Sequence, residues 1–251
     1  MRSAAFVVVF LIVALPAAAQ IQDNSFLVEE AYNQDAGVVQ HISTFQHGTR
    51  GSDWLSTFTQ EWPASGLKNQ LSYTLTATRA GAPSGFGDIT LNYRRQLLGD
   101  AGARVAFAPR LSIVLPTGDE HQNRGAGATG VQLMLPASIV LGEHFVTHWN
   151  AGAAFTPAKE TRTWTAAQSV VWLARPRFNA LVETVWSRTD GDRGSRETSL
   201  VICPGIRWSY DFPGGLQIVP GIALPISLRD PHDRSVFTYL SFEHPFTRSA
   251  R

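Results

Sequence analysis

The sequence predicts an all-β protein, a transmembrane antiparallel up-and-down β-barrel of about 12 strands (10 to 14). Three observations predict it: apolar and polar residues alternate with period two, the alternating segments run for about ten to thirteen residues, and long and short connections alternate between them. Strands of soluble proteins are typically about five or six residues long, whereas a tilted strand that crosses a bilayer needs roughly nine to eleven. The segment lengths therefore favour a membrane barrel over a soluble sandwich.

The N-terminus has the features of an exported protein. Arg2 precedes an apolar run from Ala4 to Leu15, which ends in Pro16 and three alanines. This pattern is typical of a signal peptide cut before Gln20, and the run is too short to cross a membrane as a helix. We therefore expect residues 1–19 to be the signal peptide and residues 20–35 to be a separate segment. That segment either folds into the barrel as a plug or hangs in the periplasm.

The barrel is expected over residues 36–246, with residues 247–251 as a C-terminal tail. Alternation is clearest in residues 67–78, where Leu71 and Leu75 point one way and Ser72 and Thr74 the other. In chain order, strands are predicted near 36–47, 53–62, 67–78, 86–97, 103–115, 129–141, 145–156, 163–174, 178–188, 198–209, 215–226 and 235–246. Inside these strands lie Pro109, Pro136, Pro204 and Pro220. Since a closed barrel has no edge strand to tolerate a missing N–H, we expect β-bulges at these prolines.

The connections between the predicted strands alternate in length. Residues 79–85, 116–128, 189–197 and 229–234 are the longer ones, whereas 63–66, 142–144, 175–177 and 210–214 are tight turns. In an outer-membrane barrel with both ends of the chain in the periplasm, the longer connections face the outside. The connection at 98–102 is less short than this rule requires.

Aromatic residues recur at an interval that fits the thickness of a membrane. Trp164 and Trp172 share a face eight residues apart, which corresponds to about 20 Å of depth once the strand is tilted. Trp54 with Trp62, and Phe178 with Trp186, repeat the interval. Because Trp and Tyr settle where a membrane protein meets the headgroups, we expect outer-membrane lipid to surround the barrel. Ordinary aromatic packing in a sandwich core is the alternative.

The polar face of the strands would line the lumen, and it carries charges of both signs. Such charges persist only when they are paired or wetted, so they either brace the wall as Arg–carboxylate networks or line a watery passage. Bracing is favoured, because a barrel of about twelve strands fills much of its interior with side chains. The candidate lumenal binding residues are Asp88, Arg94, Arg104, Arg110, His148, Glu183, Arg207 and Glu243, with Asn92 and Gln96 beside them.

The composition and the scattered histidines argue against several other functions. With 21 Lys+Arg against 20 Asp+Glu in 251 residues, the chain is not a polybasic nucleic-acid binder, and Cys203, the only cysteine, cannot form an intrachain disulfide. The seven His form no metal-binding pattern, so we predict no metal and no cofactor. A lipid-cleaving barrel would need a Ser and a His together, and only His148 or His144 beside Ser138 or Ser169 can be nominated. No catalytic residue is therefore predicted.

Two short motifs link the chain to a known family. Residues 85–89 read Gly-Phe-Gly-Asp-Ile, and residues 110–119 end in Leu-Pro-Thr-Gly-Asp. In these motifs, and in the glycine-spaced residues 125–132, the sequence resembles the MetA-pathway phenol-degradation family of outer-membrane transporters, from about Gly85 onward. Turn chemistry accounts for the motifs at least as well as function does, because Pro presets a turn, Gly frees it and Asp bonds nearby backbone.

The resemblance implies an outer-membrane channel or transporter for the passive passage or uptake of small solutes, aromatic or hydrophobic ones among them. The partners would be outer-membrane lipid, a small-molecule solute of unknown identity and the barrel assembly machinery, with no nucleic acid. The chain would reach the outer membrane after export to the periplasm. Two alternatives stay open: a barrel enzyme acting on lipid, and a soluble exported β-barrel that binds a ligand in a closed cavity.

Overall fold

A computed structural model describes residues 25–81, 83–100, 102–213, 216–230 and 232–245, apart from the side chain of Arg193. Within these residues, 12 antiparallel strands close into one barrel, as the alternation predicts. The predicted signal peptide (1–19) and tail (247–251) lie outside the described residues. The strands are β1 (Val38–Gly48), β2 (Trp54–Pro63), β3 (Asn69–Arg79), β4 (Gly85–Phe86 and Ile89–Arg95), β5 (Val105–Phe107 and Arg110–Leu115), β6 (Gly130–Val140), β7 (Phe145–Thr156), β8 (Thr161–Arg175), β9 (Phe178–Asp190), β10 (Arg196–Trp208), β11 (Gln217–Ala223 and Ile226–Ser227) and β12 (Ser235–Pro245).

Each strand pairs with its neighbours in sequence, and the first and last strands close the barrel. β1 pairs with β12 along its whole length, from Val38 opposite Pro245 to Gly48 opposite Ser235. A short strand, Tyr210–Asp211, extends the hairpin between β10 and β11. We call the end at which β1 begins and β12 finishes the turn end, and the opposite end the loop end.

The two faces of the wall differ as the alternation predicts. On β3, Gln70 and Ser72 are buried, whereas Leu71 between them is 40% exposed on the outside. Leu91, Leu133 and Leu240 are likewise exposed on the outer face of their strands. An apolar exterior around a polar interior is the arrangement of a barrel that stands in lipid.

Aromatic side chains lie on the outer face near both ends of the wall. Trp164 and Trp172, at opposite ends of β8, are 49% and 50% exposed. On β2, Trp54 is the first residue of the strand and Trp62 the last but one, so these two residues also lie at opposite ends of the wall. These positions agree with the predicted aromatic belts.

The predicted bulges are absent at Pro136, Pro204 and Pro220, around which the strand registers stay constant. Beside Pro109, the pairing of β4 with β5 shifts by one residue between Arg94 opposite Arg110 and Leu98 opposite Phe107, but the pairing of β5 with β6 does not. β5 and β6 keep one register on both sides of Pro109, from Val105 opposite Ile139 to Arg110 opposite Met134. Pro136 lies opposite the resulting interruption, where its carbonyl accepts a hydrogen bond from Ala108 N–H at 3.2 Å. The wall therefore accommodates a missing N–H by omitting ladder bonds at facing positions of two strands. The residue count stays equal on both.

The connections alternate in length less regularly than predicted. At the loop end they cover residues 49–53, 80–84, 116–129, 157–160, 191–195 and 228–234, and at the turn end 64–68, 96–104, 141–144, 176–177 and 209–216. The longest, 116–129, lies at the loop end and the shortest, 176–177, at the turn end, as predicted. The predicted long connections 79–85 and 189–197 are shorter than expected because the strands extend into them, and 96–104 is longer than predicted because β5 begins only at Val105. The short 3₁₀ helices Glu120–Gln122, Pro157–Lys159 and Asp192–Gly194 all lie at the loop end. None of the helices among the described residues is long and apolar enough to cross a membrane.

Candidate functional site

The lumen is occupied by the chain itself. Residues 25–35, which we call the lumenal segment, enter from the turn end and lie inside the wall. Ala31 is fully buried and Val28 is 2% exposed. Side chains from β3, β4, β6, β7, β8 and β9 hydrogen-bond to this segment. Of the two arrangements open for residues 20–35, the described part thus adopts the plug.

The first residues of the lumenal segment are held by one carboxylate of β9. Glu183 accepts hydrogen bonds from the backbone N–H groups of Phe26 at 3.0 Å and Val28 at 3.1 Å, and both its oxygens accept from Leu27, at 3.1 and 2.9 Å. The Glu183 side chain is completely buried. Hydrogen bonds to an ionised carboxylate are roughly twice as strong as neutral ones. Glu183 thus anchors three consecutive residues through their backbone.

Glu29 of the segment forms the ionic centre of the lumen. Its carboxylate pairs with Arg110 and, at 3.3 Å, with Arg94. Its backbone N–H donates to Asn150 Oδ1 at 2.8 Å, and Asn150 Nδ2 donates to its carbonyl at 2.8 Å. Burial acts to raise the pKa of Glu29, but the two guanidinium groups outweigh it and hold that pKa below its ordinary value.

The arginine partners differ from those expected. A wall braced by its own Arg–carboxylate networks would pair its arginines with carboxylates of other strands. Instead, Arg207 Nη1 lies 3.8 Å from Glu30 Oε1 of the segment, both side chains being buried. The lumenal ion pairs therefore join the wall to the segment.

Burial and the nearby carboxylate of Glu30 raise the pKa of Tyr32 to about 12.

Near the turn end, amide and hydroxyl side chains hold the end of the segment. Gln96 donates to the Ala31 carbonyl at 2.7 Å and accepts from Asn33 N–H at 3.1 Å. Gln70 accepts from Gln34 N–H at 2.7 Å. Gln70 belongs to the alternating polar face of β3, which is the signal by which sequence reasoning could have found it. Gln96, one residue beyond the end of β4, was named among the lumenal residues from the sequence.

Of the nominated residues, Ser138 and Ser169 both lie opposite His148 in the registers of β6 and β8 with β7, and Ser138 is hydrogen-bonded to it. Ser138 Oγ is 2.8 Å from His148 Nδ1, and both residues are buried. Ser138 Oγ also accepts from Ala31 N–H at 2.8 Å, so the segment covers the pair. His144 is exposed in a turn, and Ser169 bonds Ser25 at 2.9 Å. Within the described residues, no three His, Cys, Asp or Glu side chains are placed to hold a metal ion.

An apolar pocket in the wall receives one aromatic ring of the segment. Phe26 packs against Phe237 and Tyr239 of β12, with ring centroids 5.6 and 5.4 Å apart. Beneath the ring lie Gly205 and Gly221, where a Cβ atom would come within 2.5 and 2.6 Å of ring carbons. The two glycines are therefore required by the close approach of the ring. Sequence reasoning missed this pocket, although both glycines occupy inward positions of predicted strands.

Asp88 lies at the loop end, away from the buried ion pairs. Its carboxylate accepts from Gly118 N–H at 2.9 Å and from Ala126 N–H at 2.8 Å. Thr117 Oγ1 accepts from Ile89 N–H at 3.0 Å, which joins the same two stretches of chain. The Gly-Phe-Gly-Asp and Leu-Pro-Thr-Gly-Asp motifs thus meet in space, and Asp88 holds the longest loop over the barrel mouth.

The last two candidates lie near the turn end. Arg104 is exposed just before β5 rather than lumenal. The strand was predicted to begin at 103, but an arginine at a strand end keeps its charged head in water. Glu243 is half-buried on the inner side of β12, opposite Gln40 and Gln217.

Between the segment and the loop end, the lumen keeps a small cavity of about 240 Å³. Its wall side is polar, with threonines from three strands and the two arginines that bind Glu29. Its floor is the segment, including Phe26. The lining side chains from the wall include Thr44, Thr57, Thr59, Thr74, Asn92, Arg94, Arg110 and Tyr239.

Comparisons with known proteins agree on the architecture. The family described as "Putative MetA-pathway of phenol degradation" matches residues 18–223. The COG4313 outer membrane channel from Pseudomonas putida F1 has a similar structure, with a TM-score of 0.61 and 13% identity over 85% of this chain and 97% of that one. The KdgM porin follows with a TM-score of 0.51 and 8% identity over 84% and 99%. No match was found among curated proteins. At these identities the structural likeness shows a shared fold.

Proposed function

The chain belongs to the MetA-pathway phenol-degradation family, and from that premise and its architecture we propose that it is an outer-membrane channel for the passive passage of small solutes. Aromatic and hydrophobic compounds are among the solutes we propose. We further propose that the protein is exported by its signal peptide, that the barrel assembly machinery inserts it, and that the loop end faces outward.

One observation carries this proposal: the lumen is closed by a segment that is not part of the wall. Residues 26–34 are held by side chains of the wall acting on segment backbone, as in the bonds from Glu183 and Ser138. Without the segment, the same polar side chains would line a continuous passage. Hydrogen bonds of this kind can be exchanged for water, and we propose that the closure is reversible.

The charges of the wall support a passage of low ion preference. Arg94, Arg110 and Arg207 point inward, and so do Glu61 and Glu183. Strong ion selectivity requires rings of like charge, which this mixture does not provide. We therefore propose that size and wall polarity decide which solutes pass.

The two alternatives have less support. A lipid-cleaving enzyme would need its nucleophile exposed to lipid, but Ser138 is inside the wall and covered by Ala31. A soluble ligand-binding barrel would need a polar exterior, whereas Leu133, Trp164 and Trp172 are exposed on the outer face.

Reconstitution tests the proposal directly. Purified protein would be assayed by swelling of proteoliposomes in small sugars and amino acids and by conductance in planar bilayers. We expect passage of small solutes with weak ion preference, and more of it in Glu183→Gln than in the wild type. A wild-type protein that passes nothing but hydrolyses phospholipid, and loses that activity in Ser138→Ala, would replace the channel with the enzyme.

A further inference from the structure

We propose that apolar solutes leave the lumen sideways, through the seam between β10 and β11, and that Phe26 occupies the binding site through which they pass. The solute would be an uncharged molecule of about one or two aromatic rings. This inference rests on the proposed function, because it requires that solutes enter the lumen. It adds the route and the site.

The seam between β10 and β11 is weakened by prolines on both sides. Its ladder is registered over residues 205–207 with 221–223 and over 201–202 with 226–227, and it is interrupted between them. Pro204 accepts a hydrogen bond from Leu224 N–H at 3.0 Å but has no N–H with which to return one. On β11, Pro220 also lacks the donor, whereas Pro225 faces β12, where its carbonyl accepts from Ser235 N–H at 3.0 Å. Separation of the strands there breaks fewer hydrogen bonds than at a regular seam.

On the lipid side, a groove crosses the outer face of the wall from β7 to β11 and includes this seam. Its volume is about 710 Å³, which is within the usual range for a small-molecule site. Every lining residue is apolar. Its exposed side chains face outward with the rest of the apolar exterior and include Val170, Trp172, Val182, Ile206, Ile222 and Leu224. An apolar molecule at this groove is already in contact with the membrane.

On the lumen side, the same stretch of wall carries the Phe26 pocket. Leu181 and Ala223 belong to the buried cluster around Phe26, and together with Gly205 they also line the outer groove. The ring of Phe26 lies directly over Gly205, with no side chain between it and the strand. The wall between the two apolar sites is therefore one backbone thick.

The occupant of the pocket indicates the chemistry of the solute. The pocket binds a benzene ring through two aromatic rings and a flat glycine surface. Phe26 also faces the lumenal cavity, whose other walls carry Arg94, Arg110 and threonines. An apolar solute in that polar cavity would gain free energy by moving into the apolar Phe26 pocket. Lipid lies on the other side of the wall at that pocket. A polar solute gains nothing from this route.

A single substitution can close the seam. Positions 203 and 225 face each other in the register that holds on both sides of the interruption. Directly opposed residues of antiparallel strands have Cα atoms about 4.5–5.5 Å apart, a distance that a disulfide can span. In Pro225→Cys, oxidation by diamide should join the new cysteine to Cys203. The reduced form of the same protein is the matched control, and Cys203→Ala/Pro225→Cys controls for the oxidant.

The test compares an apolar and a polar probe. Cells with an intact lipopolysaccharide layer would be given N-phenyl-1-naphthylamine, which fluoresces when it reaches lipid, and proteoliposomes would be swollen with arabinose. We expect the oxidised Pro225→Cys protein to take up the apolar probe several-fold more slowly than the reduced form, with arabinose unaffected. Phe26→Ala, which enlarges the pocket, should accelerate the apolar probe more than arabinose.

The other outcomes separate the two proposals. Equal uptake of the apolar probe by the oxidised and reduced forms, with arabinose still passing, would overturn the lateral route and leave the channel standing. A groove that holds only a membrane acyl chain would give this same result. If the wild type accelerates neither probe over cells and vesicles without the protein, the proposed function itself fails.

Discussion

The carboxylate of Glu183 binds the backbone of Leu27 with both of its oxygens, which lie 3.1 and 2.9 Å from the Leu27 nitrogen. The wall thus recognises the path of the lumenal segment rather than a side chain at that position. The contact also joins residues 156 positions apart in the sequence. It makes β9 the principal strand that holds the segment across the lumen.

Glu183→Gln should loosen the lumenal segment without opening the wall. The amide loses the charge and turns an NH₂ group toward backbone donors. Hydrogen bonds to a charged group contribute about 1.5–3 kcal/mol, so the undocked fraction should rise roughly tenfold or more. Proteolysis within residues 25–35 and the open fraction in planar-bilayer recordings measure this directly.

The matched control is Glu143→Gln, the same change in an exposed turn. It should behave as the wild type does in both measurements. Equal proteolysis of the wild type and Glu183→Gln would show that the four hydrogen bonds are not what holds the segment.

Glu29 predicts the response of the segment to acid. Arg110 and Arg94 hold the pKa of Glu29 below its ordinary value of 4.5, so the ionised form is favoured when the segment is docked. A depressed carboxyl pKa contributes stability above the ordinary value, and that stability is lost as the pH falls through the depressed pKa. The contribution of Glu29 to docking should therefore persist from neutral pH to about 4.5 and decline only below it.

The measurement is conductance against pH for the wild type and Glu29→Gln. The variant should be more open at neutral pH, and the difference between the two proteins should shrink below pH 4.5. Because the two proteins differ only at residue 29, the difference between them isolates the effect of Glu29. A difference that grows on acidification would contradict the assignment.

Asp88→Asn should release the long loop while leaving the barrel folded. The amide can accept only one of the bonds from Gly118 and Ala126, and its NH₂ group opposes the other donor. We expect faster proteolysis within residues 116–129 and little change in the thermal unfolding of the barrel. Asp100→Asn, in an exposed turn, provides the control. A loss of barrel folding instead would place Asp88 in the structural core.

Most of the wall could be predicted from local sequence, for a physical reason. Lipid outside and polar groups inside impose a period of two on each strand, so the outward positions of Leu71 and Leu133 follow from their neighbours alone. The prolines were harder, because Pro204 and Leu224 become partners only when two strands meet. A missing N–H is harmless or costly according to what lies opposite it.

The interior was less predictable. Sequence reasoning placed Glu183 and Arg110 on the lumenal face, but their partners are a backbone stretch and Glu29, both outside the barrel strands. The alternation of apolar and polar residues shows which side chains point into the lumen, but it does not show which of them contact one another there. The presence of a separate segment, residues 20–35, ahead of the barrel was the available signal, and it allowed a plug without specifying how it docks.

The outward and inward faces of the wall should respond oppositely to a new charge. Leu133 is 45% exposed on the outer face of β6, so Leu133→Arg places a guanidinium in lipid, at a cost of about 2–4 kcal/mol near the midplane. Thr74 lines the lumenal cavity, where the head of an introduced arginine can reach water, so Thr74→Arg should cost much less. The free energy of folding into lipid vesicles, measured by urea titration, gives both values. Equal losses at the two positions would mean that the exterior of this barrel does not face lipid, and the channel proposal would fall with it.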